Sequence, residues 1–304
     1  MDLLPAPPLP DRIARQLPPG VRRHTVRVGD HALHLMEAGE GRPVLLMHGN
    51  PTWSFLYRKV FAALAGEPLR LIAPDLVGLG LSDRVPGRWH TLERHGAVIA
   101  DLVAGLDLRD VVLVGQDWGG PIGLHAFVRQ RERLAGLVVL NTVIGPPRPG
   151  FRPTAFHRFA RTPVVSDLAF RLGAFPQRAL HTAQGDRASI RGEVAWAYRW
   201  PLRGLARNAA PLALARMVPD REAHPTVPAL REVGELVAGW TGPAAIVWGD
   251  RDPVLGRLRR HVERTLPHAS VRATQAGHFL QEEVPEDIAA AVREVAAAAD
   301  GRTA

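Results

Sequence analysis

The chain has 304 residues, 46% of them hydrophobic, which is enough for one large α/β domain or a domain with a sizeable insertion. It contains no cysteine, which excludes disulfides, cysteine-ligated metal sites and thiol catalysis. The formal charge of +8 comes mostly from scattered arginines with only short clusters such as Arg257, Arg259 and Arg260, so no nucleic-acid partner is expected.

The N-terminal part of the chain predicts an arm followed by the first strands of a sheet. Residues 1–20 are proline-rich and lack the basic start and apolar block of a signal peptide, so we predict an extended arm. Segments 25–28 and 31–36 predict a strand pair around the two-residue turn Gly29-Asp30. No run of about eighteen apolar residues occurs, so we expect no membrane span. A cytoplasmic location is the default expectation.

Strands and helices then alternate along most of the chain, which predicts an α/β fold with a mostly parallel, doubly wound sheet. Segment 146–240 differs, because it has helix-length stretches, several prolines and no convincing strand. We therefore predict a helical cap at 146–240, inserted into a core formed by 21–145 and 241–304. The predicted strands are 44–47, 69–73, 111–114, 137–140 and 243–248, and the predicted helices are 55–65, 92–106 and 288–299.

The sequence around Asp117 resembles a sharp turn between a buried strand and a helix. Gly115-Gln116-Asp117-Trp118-Gly119 follows four apolar residues, and helix-like sequence follows from Pro121. This is the arrangement of a nucleophile elbow with aspartate in place of the commoner serine. A carboxylate that attacks an sp3 carbon gives an alkyl ester that water can hydrolyse, whereas attack on an ester would give an unproductive anhydride. A simple helix-capping role is the alternative for Asp117.

Two further residues complete a candidate triad with Asp117. His278 follows the last predicted strand in a glycine turn, where a general base could activate water to attack the ester. Asp252 is the preferred partner to orient the imidazole, while Asp250 could instead hold its own turn. Such an acid can also occur after the preceding strand, but this chain has Asn141 there, which is neutral and cannot supply the charge.

Asn50 and Trp118 are the candidate groups for stabilising negative charge. Their backbone N–H groups would face the Asp117 carbonyl oxygen as it becomes an oxyanion. The Asn50 amide and the Trp118 indole N–H are neutral donors that suit an anionic leaving group such as halide. Packing in the core is an equally good account of Trp118.

At this point the chain resembles the haloalkane dehalogenases of the α/β-hydrolase superfamily, from about residue 31 to the C-terminus. The motifs that carry the resemblance are His-Gly-Asn-Pro-Thr-Trp-Ser-Phe-Leu-Tyr-Arg at 48–58, the loop at 75–83, Gly-Gln-Asp-Trp-Gly-Gly at 115–120, Ala-Tyr-Arg-Trp-Pro at 197–201 and Gly-His-Phe-Leu-Gln-Glu at 277–282.

The resemblance implies that Asp117 is the nucleophile, His278 the base and Asp252 the acid, with Asn50 and Trp118 as halide ligands. It implies hydrolysis of a carbon–halogen bond through an alkyl-aspartate ester, with release of alcohol, halide and a proton. The expected partners are a small apolar halogenated or lactone substrate and a halide ion. We expect no cofactor and no metal ion.

Several other functions stay open on the sequence. The β-lactone decarboxylases of olefin biosynthesis look similar and have the same Asp, Asn, Trp and His. An epoxide hydrolase would use two cap tyrosines, but the chain has only Tyr57 and Tyr198, and Tyr57 lies outside the cap. A serine-type esterase is disfavoured by Asp117, and a non-catalytic relic is disfavoured because no catalytic residue is missing. A metal enzyme is weakly supported by His31 and His34, which we expect at a solvent edge.

The substrate pocket is expected to be apolar. Large side chains of the predicted cap could line it, although the sequence does not tell which of them face inward. These residues are Phe156, Phe159, Phe170, Phe175, Trp196 and Leu212.

Overall fold

A nine-stranded sheet organises the computed structural model, which describes residues 3–148, 150–204 and 209–303. The strand order is β1-β2-β3-β5-β4-β6-β7-β8-β9. The strands are β1 (Leu3–Pro5), β2 (Arg22–Val28), β3 (His31–Ala38), β4 (Arg42–Met47), β5 (Leu69–Pro74), β6 (Val111–Asp117), β7 (Leu134–Thr142), β8 (Ala244–Gly249) and β9 (Ser270–Thr274). The pairs from β5 to β9 are parallel, which confirms the predicted mostly parallel α/β sheet.

The central strands are apolar on both faces because helices cover the sheet from both sides. Strands β4, β6, β7 and β8 lie inside the sheet and are almost fully buried. The α-helices are α1 (Asp11–Ala14), α2 (Arg58–Ala63), α3 (Leu92–Gly105), α4 (Gly119–Ala126), α5 (Ala155–Ala160), α6 (Val165–Arg171), α7 (Gly192–Arg199), α8 (Ala209–Met217), α9 (Val227–Ala238), α10 (Arg259–Thr265) and α11 (Pro285–Thr303). Within the described ranges, no helix has the length and apolar character needed to cross a bilayer.

The antiparallel edge of the sheet is formed by the first three strands. Val28 faces His31 across a two-residue turn, as the Gly29-Asp30 pattern predicts. The predicted arm contributes to this edge, since β1 pairs with β2, and Ile13 of α1 is fully buried. This part of the N-terminal segment is therefore packed on the fold.

The expectation that His34 lies at a solvent edge is wrong. His34 is fully buried in β3, and its Nδ1 lies 2.9 Å from Oδ2 of Asp75, which is also buried. Strand β3 lies inside the sheet between β2 and β5, and the ring of His34 is covered by Trp53 and accepts a hydrogen bond from Nε of Arg23 over 3.2 Å. The imidazole of His34 lowers the pKa of Asp75 to about 2, although burial alone would raise it.

Between β7 and β8, the described residues form helices and turns and contain no strand. The aromatic residues of α5 and α6 pack into a small apolar cluster with α8, separate from the two clusters on the faces of the sheet. Helix α9 falls within the predicted cap range but packs against α4 of the core. The boundaries at 146 and 240 stay a prediction.

Candidate active site

Asp117 stands at the end of β6 in a backbone conformation that few non-glycine residues adopt. Its φ is +49°, in the left-handed region, and α4 begins two residues later. The strained turn lifts the carboxylate out of the sheet, and its side chain remains 17% exposed. The hydroxyl of Thr142 at the end of β7 donates to the Asp117 carbonyl oxygen over 2.6 Å, which holds the turn in place.

The turn can form only where neighbouring backbones come very close. A Cβ on Gly49 would lie 2.3 Å from the Cβ of Asp117, and a Cβ on Gly120 would lie 2.0 Å from Oγ1 of Thr142. Both distances are far below van der Waals contact. Glycine at these two positions therefore lets β4 and α4 approach Asp117.

The three predicted triad residues lie next to one another. Nε2 of His278 is 3.5 Å from Oδ2 of Asp117, and Nδ1 of His278 is 2.8 Å from Oδ2 of Asp252. Asp252 is 5% exposed and follows β8, whereas Asp250 lies at the surface and pairs with Arg259 over 2.7 Å. The geometry favours Asp252 over Asp250 as the partner of the imidazole.

Asn141 supports Asp252 from the neighbouring strand. Its Nδ2 donates to Oδ2 of Asp252 over 2.8 Å, and its Oδ1 accepts from the backbone N–H of Gly249 over 2.7 Å. Burial alone would raise the pKa of Asp252, but His278 and Asn141 outweigh it, and the pKa is lowered. Sequence reasoning considered Asn141 only as a missing acid and did not find this supporting contact.

The imidazole of His278 lies between two carboxylates. Burial alone would lower its pKa, but Asp252 and Asp117 together raise it to about 10. The two carboxylates therefore favour the protonated form of the imidazole in the free site. Esterification of Asp117 would remove one of the two negative charges, so the pKa of His278 would fall as the ester forms.

The loop that carries His278 is held by the segment that precedes α7. The backbone N–H of His278 donates to the Ala183 carbonyl over 2.8 Å, and that of Phe279 donates to Oε1 of Gln184 over 2.9 Å. Nε2 of Gln116 donates to the His278 carbonyl over 3.0 Å. No short motif connects residues so far apart along the chain, so the sequence offered no signal for Gln184.

The backbone N–H of Asn50 lies against the carboxylate of Asp117. It donates to Oδ1 of Asp117 over 2.7 Å. The side chain of Asn50 also reaches the insertion, since its Nδ2 donates to the carbonyl of Pro211 in α8 over 3.0 Å. An amide nitrogen carries two hydrogens, so one remains for a ligand after this bond is made.

Asp117 and Trp118 line a cavity of about 500 Å³. Trp118 is 6% exposed, and apolar residues such as Ile144, Leu230 and Val254 form other parts of the wall. The predicted lining phenylalanines are not part of this wall. Phe156, Phe159, Phe170 and Phe175 pack on one another because helices as short as α5 and α6 need an apolar interior of their own.

His157 of α5 is a polar wall residue that sequence reasoning missed. It is 8% exposed, and its Nδ1 lies 2.8 Å from the hydroxyl of Thr154. Burial lowers its pKa to about 4 despite the attraction of Asp117, so the ring is neutral at pH 7. The chain has thirteen histidines, and nothing in its local sequence distinguishes this one.

Both tyrosines of the chain form hydrogen bonds inside the core. The Tyr57 hydroxyl donates to the Met47 carbonyl over 2.9 Å, and the Tyr198 hydroxyl donates to the carboxylate of Glu282, which is also paired with Arg58. Each tyrosine is fully buried, and neither lines the Asp117 cavity. They are therefore not placed to protonate an epoxide oxygen.

Comparison with known proteins gives consistent similarities. Residues 42–285 match the family model of the alpha/beta hydrolase fold. Haloalkane dehalogenase 2 of Mycobacterium tuberculosis is 35% identical over 269 residues, covering 86% of this chain and 90% of the relative. Haloalkane dehalogenase 1 of the same organism is 36% identical over 259 residues and covers 81% of each chain.

Solved structures give the same picture. The haloalkane dehalogenase DatA of Agrobacterium tumefaciens superposes with a TM-score of 0.82 at 26% identity, covering 93% of this chain and 99% of that one. The epoxide hydrolase CorEH superposes with a TM-score of 0.73 at 23% identity, covering 91% of this chain and 99% of that one. At that identity the second likeness shows a shared fold alone.

Proposed function

This chain belongs to the haloalkane dehalogenases of the α/β-hydrolase fold, and we propose that it uses Asp117 to displace halide from the alkyl chain of a small halogenated substrate. The observation that carries the proposal is the aspartate elbow, with one carboxylate oxygen held by the Asn50 N–H and the other facing His278. A serine at the same place would direct the fold to ester chemistry instead.

The first step forms a carbon–oxygen bond and breaks the carbon–halogen bond. Oδ1 of Asp117 is bound at the Asn50 N–H, so Oδ2 is the oxygen that attacks and Oδ1 becomes the ester carbonyl. Halide leaves with the bonding electron pair toward the Asn50 amide and the Trp118 indole. Neutral donors stabilise the departing anion without holding it too tightly for release.

The second step hydrolyses the alkyl ester. Once Asp117 is esterified, His278 keeps only Asp252 as a charged neighbour, and the lowered pKa lets the ring lose its proton and act as a base. It takes a proton from water, and the hydroxide attacks the Asp117 carbonyl carbon. The imidazolium gives its proton to the departing alkoxide, so the alcohol leaves, and the carboxylic acid formed on Asp117 passes its proton back to the ring. Asp117 is restored as a carboxylate, and the proton that the ring lost earlier is the one released to solvent.

A trapped intermediate tests the proposal. We expect His278→Phe to accumulate a covalent adduct of one alkyl group on Asp117 after exposure to a bromoalkane, because the ester forms but is not hydrolysed. Intact-protein and peptide mass spectrometry measure the adduct and its position. Asp117→Asn should release no bromide and carry no adduct.

A long-chain β-lactone is the comparator for the same experiment. Release of alkene and CO2 from the lactone, with no bromide from any bromoalkane, would contradict the proposed dehalogenation. Bromide release without an adduct in His278→Phe would contradict the covalent route.

A further inference from the structure

The cavity that contains Asp117 has a strongly basic rim. Four arginines line it together with the nucleophile, and all four are exposed, whereas Trp118 is buried and Asp117 is only partly exposed. The arginines therefore lie on the solvent side of the cavity. We call them the arginine rim: Arg148, Arg257, Arg260 and Arg264.

The rim is built largely on one face of one segment. Arg260 and Arg264 lie four residues apart in α10, so they share a face of the helix, and Arg257 lies in the turn before it. Arg148 comes from the loop after β7 and donates to Nδ1 of His261 over 2.6 Å. Like charges at this helical spacing repel each other, so the pair destabilises the helix.

Within the described part of the chain, carboxylates do not neutralise the charges of the rim. Among the residues that the structure describes, none of the four guanidiniums forms an ion pair with Asp or Glu. The neighbouring Arg259 differs, because it pairs with Asp250 and Glu263, each over 2.7 Å, and does not line the cavity.

His261 lies next to the arginine rim, and its pKa is affected by the positive charge of the rim. Its ring lies within the cavity wall between members of the rim. Burial and the charges of Arg148 and Arg264 lower the pKa of His261, so at neutral pH the ring accepts the Arg148 hydrogen bond without adding a charge.

We propose that the arginine rim recognises a carboxylate at the far end of the substrate, so that the protein acts preferentially on halogenated carboxylic acids. The inference rests on the proposed dehalogenase function. The apolar wall would hold the alkyl chain with its carbon–halogen bond at Asp117, and the guanidiniums would bind the carboxylate at the solvent side. Guanidinium forms paired hydrogen bonds with carboxylate, and a basic cavity entrance also raises the rate of encounter with anions.

Matched substrates test this recognition. We would measure bromide release from ω-bromoalkanoates and from ω-bromoalcohols of the same chain lengths, which differ in charge but keep the same reacting carbon. The unchanged protein should show a kcat/KM about tenfold higher for at least one bromoalkanoate. The preference should shrink as ionic strength rises from about 0.01 M to about 1 M, since the screening length falls from about 30 Å to about 3 Å.

A double variant connects the preference to the rim. Arg260→Gln/Arg264→Gln should lower kcat/KM for the bromoalkanoate by about tenfold, mainly through KM, and should leave the bromoalcohol nearly unchanged. Arg259→Gln, in the same helix but outside the cavity wall, is the matched control and should keep the preference.

The outcomes separate the two proposals. Equal activity toward both substrate series, or a double variant that lowers both equally, would overturn carboxylate recognition and leave the dehalogenase function standing. No bromide from any substrate with the unchanged protein would overturn the dehalogenase function itself.

Discussion

Oδ2 of Asp252 accepts hydrogen bonds from both His278 and Asn141. The carboxylate therefore orients the imidazole of His278, and the neutral amide of Asn141 orients the carboxylate. The backbone N–H of Val254 donates to the other oxygen over 2.7 Å. Each acceptor atom of this buried carboxylate is therefore satisfied. The arrangement holds Nδ1 of His278 as a donor and leaves Nε2 facing Asp117.

We expect Asp252→Asn to lower kcat on the order of 10³–10⁴-fold, because an amide neither carries the charge that stabilises the imidazolium nor fixes the same ring tautomer. Asp250→Asn is the matched control and should change kcat by less than about twofold, since Asp250 takes part in a surface ion pair. Steady-state bromide release measures both. The reverse order of effects would assign the acid role to Asp250.

At the scale of elements, the elbow depends on how closely α4 packs against the ends of β6 and β7. A Cβ on Gly115 would lie only 2.6 Å from the Cα of Gly120, and a Cβ on Gly120 would overlap the side chain of Thr142. The hydroxyl of Thr142 is the group that holds the Asp117 carbonyl. A change in helix packing here therefore directly affects the position of Asp117.

We expect Gly120→Ala to lower the free energy of unfolding by about 1–3 kcal/mol and to reduce activity, because the new methyl group overlaps the Thr142 side chain. Gly87→Ala is the control, since nothing lies within 4 Å of its added Cβ and its φ is not positive. Thermal unfolding and bromide release report the two effects. A Gly120→Ala protein with unchanged stability and rate would show that the close packing is not needed.

At the scale of the whole molecule, we expect the buried histidines to make the fold sensitive to acid. Burial lowers the pKa of His90 and of His157 to about 4, and burial together with the neighbouring His90 lowers that of His95 well below 6.5. In the unfolded chain these rings titrate near 6.5. As the pH falls below about 6.5, the unfolded state gains protons that the native state does not bind, so stability is lost.

We expect the free energy of unfolding to drop on the order of 3 kcal/mol between about pH 6 and pH 5, where ordinary carboxylates remain ionised. The pKa of His278 is raised, so its contribution to the free energy of unfolding is already present below about pH 6.5 and does not offset this loss. Urea unfolding at the two pH values measures the drop, which should be smaller in His95→Gln and unchanged in the exposed control His268→Gln. A stability that is constant over this range would contradict the argument.

The sequence predicted the α/β sheet and most strands because apolar runs and glycine turns are local signals. It also selected Asp117, His278 and Asp252 by their positions after predicted strands, since the carboxyl ends of parallel strands lie at one edge of a sheet. It failed where packing decides the environment. His34 is buried because Trp53 and Asp75 pack against its ring, and the phenylalanines of the predicted cap turn toward one another.

By itself, the sequence determined the fold class, the family resemblance and the candidate triad of this protein, because these depend on short patterns and their order along the chain. Only the tertiary structure placed Asn141 on Asp252, His157 in the cavity wall and the arginine rim around the entrance. These relations join residues from separate elements, and whether two such side chains meet depends on the packing of the elements that carry them.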